Sequence, residues 1–257
     1  MIPIRDNIRT RTFPYVTIAL IAINSVVFVY QHLLHKEIER AAMAYEYGVV
    51  PLRAFAAVKG VPEVYVTPIP MHRMVLKANF SSVVLSFFTS MFMHGGLVHI
   101  IGNMLYLWIF GDNIEDRFGH VRFLLFYVFA GLCAAGLQMF FNIRSSVAMI
   151  GASGAVAGVL GAYLIAYPWA RVTVLVPIFF FLHFVEIPAV IMLVFWFVLE
   201  FLRGRSAAAS GVAHWAHVGG FVAGVVVMML VKTFGRRRKR SIPVEIILPN
   251  GERITKS

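Results

Sequence analysis

The sequence predicts an all-α membrane protein whose chain crosses the bilayer six times. Two observations carry this. Of 257 residues, 60% are hydrophobic and only 14% charged, where a soluble domain has nearer a quarter charged; the mean hydropathy is +0.79. The apolar residues also come in long blocks, and a block of about 18 or more reads as a membrane span.

Residues 1–12 are polar and basic, with Arg5, Arg9 and Arg11. The first span runs from Phe13 to Leu34, with Asn24 its most polar interior residue. It is too long, and too far from a small-residue cleavage site, to read as a removed signal peptide. Residues 35–80 are mixed in polarity and hold several prolines. They predict a sizeable loop with short amphipathic helices lying at the membrane interface. Val83 to Phe92 is apolar but short and leads into His94-Gly95-Gly96.

The second span covers Leu97 to Phe110 and ends in a charged turn, Gly111 to His120. The third runs from Phe123 to Phe141. After a polar turn, the fourth runs from Ser153 to Ala170. Val172 to Leu202 is apolar for too long to be one helix, and Pro177 and Pro188 break it. Residues 172–186 therefore read as a connection and Ile187 to Leu202 as the fifth span. Residues 203–213 form a short loop, and Trp215 to Leu230 is the sixth span. The tail, 235–257, holds the cluster Arg236 to Arg240 and a hairpin signal around Pro249-Asn250-Gly251.

Both ends are basic, so the positive-inside rule puts both in the cytoplasm, which requires an even number of spans. The domain organisation is then a cytoplasmic N-terminus (1–12), a six-helix membrane domain (13–234) and a basic cytoplasmic tail (235–257). The formal charge of +11 sits in clusters beside apolar blocks, where it sets topology and meets anionic lipid rather than nucleic acid. The one cysteine, Cys133, excludes an internal disulfide.

With the N-terminus inside, spans two, four and six all run inward from the outer face. His99 and Asn103 lie in the opening turns of span two, Ser153 opens span four, and His217 is in the first turn of span six. Four polar residues on three parallel helices thus share one depth, where polar side chains are costly and face a bundle interior or a cavity. A Ser and a His there suit acyl transfer, with the His as general base. His99 and Asn103, spaced i, i+4, share a helix face. With the Ser153 N–H at a helix N-terminus they can serve as donors to an oxyanion. His94 is placed as a cavity-lining candidate beside Gly151 and Gly154.

Gly154-x-x-x-Gly158 and Gly220-x-x-x-Gly224 are close-packing patterns that would bring spans four and six together. No acidic third member is evident at that depth, so a Ser-His dyad is the simpler arrangement. Taken alone, Gly151-Ala152-Ser153-Gly154-Ala155 is more often packing, and His183 and His214 read as interfacial residues. A channel or transporter would show polar groups through the whole span, whereas the inner halves of these spans are nearly all apolar.

These residues resemble the rhomboid intramembrane serine proteases. The likeness runs from Thr89 to Gly224. It rests on His94-x-x-x-x-His99-x-x-x-Asn103, Gly151-Ala152-Ser153-Gly154-Ala155 and Ala216-His217-x-x-Gly220-x-x-x-Gly224, in that order, with Glu115-x-Arg117 and Gly119 after span two. The resemblance implies a rhomboid-like six-helix bundle and an endopeptidase. Ser153 would be nucleophile, His217 general base, and His99, Asn103 and the Ser153 amide the oxyanion site. It implies substrates that are transmembrane helices, and no metal or organic cofactor. A rhomboid-like pseudoprotease would generally lack Ser153 or His217. Two positions depart from the family pattern. Leu85-Ser86 stand where many members carry Trp-Arg, and Ala157 stands where some carry a Tyr that stacks on the histidine. The expected location is a prokaryotic plasma membrane.

Overall fold

The computed structural model describes residues 2–33, 35–69, 72–178, 181–206, 212–234, 244–247 and 253–256. Six helices form the bundle: α1 (Tyr15–Leu33), α5 (Leu97–Phe118), α6 (His120–Phe141), α7 (Ser153–Ala166), α8 (Ala189–Arg205) and α9 (His214–Phe234). Four of these, α1, α5, α6 and α9, are long and apolar enough to cross a membrane. The apolar helix α7 is shorter, with 14 residues. At 1.5 Å per residue it spans about 21 Å.

Helix α7 is the centre of the bundle. Every residue from Gly154 to Tyr163 is buried, so this stretch is apolar or small all round, as a fully surrounded helix must be. Its tightest neighbour is α9. A Cβ added to Gly220 would run into the Gly154 carbonyl, and one added to Gly224 into the Gly158 carbonyl. Gly158 in turn lies against Ala130 of α6. The small residues bring the backbones together, and van der Waals contact is the main attraction available between helices in lipid.

The bundle has two ends. Ser153, the start of α5, the start of α9 and the end of α1 share one, called here the site end. At the other end the chain is clamped by carboxylates. Helix α5 does not stop at Phe110, as the charged residues after it suggested, but continues to Phe118. Its last turns are polar because they hold the start of α1. Glu115 Oε1 accepts from Val16 N at 2.9 Å, and Oε2 accepts from Thr17 N and Thr17 Oγ1, each at 2.7 Å. This satisfies donors that a helix start leaves unpaired. His120 Nδ1 donates to Glu115 Oε1 at 2.6 Å, and the Arg117 guanidinium lies over the Tyr167 ring.

The connection 172–186 is not irregular. It folds as strands β4 (Arg171–Ile178) and β5 (Phe181–Pro188), and the N-terminal strand β1 (Ile2–Asp6) pairs antiparallel with β4, giving the order β1-β4-β5. Asp6 at the end of β1 accepts from Asn113 Nδ2 at 2.9 Å and from the Tyr163 hydroxyl. Burial pushes its carboxyl above the ordinary range.

At the site end, the segment expected to lie as interfacial helices is a small folded layer. It comprises α2 (Glu37–Tyr47), α3 (Pro51–Val58) and the antiparallel pair β2 (Glu63–Ile69) and β3 (His72–Lys77). Helix α4 (Phe80–Thr89) follows. Val50, Ala56, Val64, Val66, Leu76 and Ala78 form its own apolar core. Arg53, 1% exposed, ties the layer together through the carbonyls of Lys77 and Glu46, at 2.9 and 2.7 Å. The tail strands β6 (Val244–Ile247) and β7 (Arg253–Lys256) pair antiparallel. The cluster Arg236 to Arg240, the turn Pro249-Asn250-Gly251 and residues 207–211 of the expected loop lie outside the described residues.

The glycine contact gives a direct stability test. Gly220→Val places a branched side chain against the Gly154 carbonyl and is expected to cost about 1–3 kcal/mol or more. The thermal midpoint in detergent should fall clearly. Gly136→Ala on α6, where a Cβ meets nothing within 4 Å, should leave the midpoint unchanged or raised, because Ala favours helix over Gly by up to ~1 kcal/mol.

Candidate active site

A cavity of about 870 Å³ opens at the site end of the bundle. Its lining includes His99, Asn103, Ser153, Trp196 and His217. Five residues from four helices thus face one space, among them the four polar residues singled out from the sequence. Ser153 is the first residue of α7, so its N–H is outside the helix's own hydrogen-bond ladder and points with the positive end of the helix dipole.

Gly151, before this helix start, has φ +125, a conformation that L side chains rarely adopt. Its N–H donates to the Ser90 carbonyl at 2.8 Å. A Cβ here would stand 2.6 Å from His99 Nε2, so glycine lets the chain pass directly beneath the His99 ring. The preceding strand-like segment is fastened to the small folded layer. Val49 and Met149 exchange backbone bonds at 3.0 and 2.8 Å, and Leu52 N donates to the Ser145 carbonyl at 2.9 Å. That layer therefore forms part of the cavity wall, and Pro51 lines it.

His94 was expected to line the cavity, and the structure places it behind the wall instead. It is 1% exposed, and the Asn103 side-chain amide donates to its Nε2 at 3.0 Å. One Asn103 N–H is thereby fixed, which orients the second toward the cavity. Gln31 of α1 accepts from the His94 N–H at 3.2 Å, so α1 contributes to the same arrangement. Gly154 lies against Ala134 and Ala216 and borders a small void of about 40 Å³ beside the main cavity.

The absence of an acidic partner is corrected by the structure. Glu200 of α8, 5% exposed, reaches the site. His217 Nδ1 donates to Glu200 Oε2 at 2.6 Å, and His214 Nδ1 donates to the same oxygen at 2.8 Å. Arg203 Nη1 approaches Glu200 Oε1 at 3.4 Å. A carboxylate only accepts hydrogen bonds, so Nδ1 of His217 carries a proton, and in the neutral ring the lone pair is then on Nε2. The support that Ala157 does not give the His217 ring comes from Glu200 and, on one side, from Trp196 at 6.0 Å between ring centres. His214 is likewise not a simple interfacial residue. Helix α8 is tied to α9 through these bonds. His183, in β5, is exposed.

Sequence reasoning passed over Glu200 because it stands in a long apolar block without a motif. A signal was present: an ionisable residue inside a membrane block needs a named partner. Glu200, His214 and His217 are also a group that could hold a metal ion, with one ligand atom from each lying within 4.8 Å of the others.

The apolar helical bundle thus gathers a Ser, a carboxylate-held His and clustered polar side chains around one cavity. Residues 81–234 match the family model of the Rhomboid domain, and the chain belongs to the rhomboid family. It is 29% identical over 170 residues to RHOMBOID-like protein 1 of Arabidopsis thaliana, covering 64% of this chain and 40% of the relative. It is 31% identical over 156 residues to RHOMBOID-like protein 4 of the same plant, covering 59% and 36%. Rhomboid protease GluP of Bacillus subtilis (strain 168) is 40% identical over 76 residues, covering 30% of this chain and 14% of that protein. The match to the two plant proteins spans well under half of their length.

The tautomer can be read spectroscopically. In protein labelled with 15N-histidine, His217 should show a protonated Nδ1 with a strongly deshielded proton, as a short bond to a carboxylate requires. The signal should vanish in Glu200→Ala, and its persistence there would mean that another acceptor holds the ring.

Proposed function

We propose that this chain is an intramembrane serine endopeptidase that hydrolyses peptide bonds in or near transmembrane helices of other membrane proteins. The observation that carries the reading is the Glu200–His217 bond at 2.6 Å, on a histidine that shares a cavity with Ser153. A carboxylate on Nδ1 leaves Nε2 free to act as a base, which is what a neutral serine needs to become a nucleophile.

In this mechanism Ser153 Oγ attacks the scissile carbonyl carbon while His217 Nε2 takes the hydroxyl proton. The carbonyl oxygen becomes an oxyanion, met by His99, Asn103 and the Ser153 N–H. The C–N bond then breaks, His217 returns the proton to the leaving amine, and the acyl group stays on Ser153. Water, activated by the same histidine, releases the new carboxyl end. Glu200 positions the ring and stabilises the imidazolium formed in each half-reaction, and touches no reacting atom. No metal or organic cofactor enters these steps.

The proposed topology is six crossings, by α1, α5, α6, α7, α8 and α9, within residues 13–234, with residues 1–12 and the tail 235–257 in the cytoplasm. The alternation of helix direction between the two ends of the bundle supports it. So does the shortness of α7, at about 21 Å against a hydrocarbon core of about 30 Å. A central helix that begins partway down leaves room above Ser153 for water and a strand of unwound substrate. A helix hides its peptide carbonyls in its own hydrogen bonds, so unwinding precedes attack. Relatives in plants and in a bacterium mean that family membership does not select the prokaryotic plasma membrane expected from the sequence. Carriage of both Ser153 and His217 favours the protease over a pseudoprotease that would bind membrane proteins without cutting them.

Purified protein should cleave a reporter helix with small residues at the cut. Ser153→Ala and His217→Ala should abolish cleavage. Cleavage that continues in Ser153→Ala, or no cleavage by wild type of any helix in a panel, overturns the proposal. Glu200→Gln offers a side-chain amide to Nδ1 and disfavours the working tautomer. It should lower kcat by roughly 100-fold or more with little change in KM, and Glu200→Asp should recover part of the loss.

A further inference from the structure

Glu200, His214 and His217 converge more tightly than positioning one imidazole requires. Two histidines one turn apart on α9, at i and i+3, direct Nδ1 at a single carboxylate oxygen, at 2.8 and 2.6 Å. Two imidazoles and a glutamate are a donor set suited to zinc, and a three-ligand set leaves a fourth position for water. We propose that these three residues form a binding site for a divalent transition-metal ion of the zinc type, and that the bound ion switches the Ser153–His217 pair off. The regulatory half rests on the protease reading above.

The two carboxylate-to-imidazole distances are close to what the ion needs, while the group as a whole, with ligand atoms within 4.8 Å of one another, has to draw in around it. Zinc takes its nitrogen and oxygen ligands at about 2.0–2.2 Å in a tetrahedron, which sets neighbouring ligand atoms about 3.4 Å apart. The two Nδ1 to Oε2 distances would open by roughly 0.6 to 0.8 Å to admit it. The carboxylate can give that room. Among the described residues, its other oxygen meets Arg203 at 3.4 Å, and the Arg203 side chain is 59% exposed. Access is also available, since the side chains of His214, His217 and Glu200 keep 12%, 14% and 7% exposure. The donor set carries one negative charge, on Glu200, whose single described cationic partner, Arg203, stands at 3.4 Å on an exposed side chain that can swing into solvent when an ion takes the carboxylate.

The effect on catalysis follows from proton placement. Without the ion, Nδ1 of His217 holds a proton that it donates to Glu200, and Nε2 holds the lone pair that would take the Ser153 proton. With the ion, the Nδ1 lone pair goes to the metal, and the proton resides on Nε2 of the neutral ring. His217 then has no site at which to accept a proton from Ser153. The two states exclude each other because Nδ1 cannot serve proton and metal together. The neutral ring keeps one proton throughout, so nothing is oxidised and no co-reactant is needed.

The test separates binding from catalysis. Full-length Ser153→Ala, stripped with chelator, carries all three ligands and cannot cleave itself. Titrated with Zn2+ against a chromophoric chelator, it should bind one ion with affinity on the order of micromolar or tighter. Adding Glu200→Gln or His214→Gln should each weaken binding by at least the ~10- to 100-fold typical for loss of even an outer-shell partner. In protein with native Ser153, Zn2+ should suppress cleavage and chelator restore it. Whatever activity His214→Gln retains should resist zinc. No saturable binding, or binding indifferent to both substitutions, overturns the site. Binding that leaves cleavage unchanged or raises it overturns the switch. If no variant cleaves any helix with or without metal, the protease reading fails while the binding result stands by itself.

Discussion

Gly220 and Gly224 of α9 lie against the carbonyls of Gly154 and Gly158 of α7 so closely that a methyl group on either α9 position would collide with backbone. The geometry of the site end depends on this contact. Ser153 opens α7 and His217 stands one turn before Gly220 on α9, so the distance between the two helices sets whether a hydroxyl and an imidazole can face one cavity. Lipid offers little hydrophobic drive for helix association, and close packing of small residues supplies it instead. Ala130 and Ala134 of α6 close the other side of α7, so the central helix is held on more than one face.

Around that contact, the polar groups of the bundle are arranged as struts between helices. Glu115 fixes the start of α1 to the end of α5, and Glu200 fixes α8 to α9 through two histidines. Asn103 and His94 join the site helix α5 to the loop before it, and Gln31 brings in the end of α1. An unpaired buried carboxylate would cost several kcal/mol, so each of these groups constrains the helices it bridges. The strut at Glu200 differs from the one at Glu115 because one of its partners also faces the cavity. Positioning α8 and orienting His217 are then one interaction, and movement of α8 would alter the tautomer of the ring. The same convergence makes the site open to a metal ion.

Much of this was legible in the sequence, and the omissions have physical causes. Ser153, His99, Asn103 and His217 stood out because the expected span order put four costly polar groups at one depth, and the structure has them line one cavity. The paired glycine patterns stood out because their spacing repeats along one helix face. Glu200 did not stand out, since a single acid in an apolar block carries no periodicity, and its partners lie 14 and 17 residues away. The β4–β5 hairpin was hidden for a related reason. Apolar residues on both strand faces give no alternation to read, and Pro177 and Pro188 suggested only a break. The fold of residues 35–80 depends on a small core and on Arg53 bonds to distant carbonyls, which composition does not reveal. The end of the second span was set too early because charge was read as a helix stop, whereas those carboxylates cap another helix.

The central claim is that Ser153 is made nucleophilic by His217 held in one tautomer. The most direct measurement is intact mass and peptide mapping of the purified protein after treatment with a fluorophosphonate. The account predicts a single adduct on Ser153, absent in His217→Ala. No adduct, an adduct on another residue, or one formed equally well in His217→Ala would contradict it.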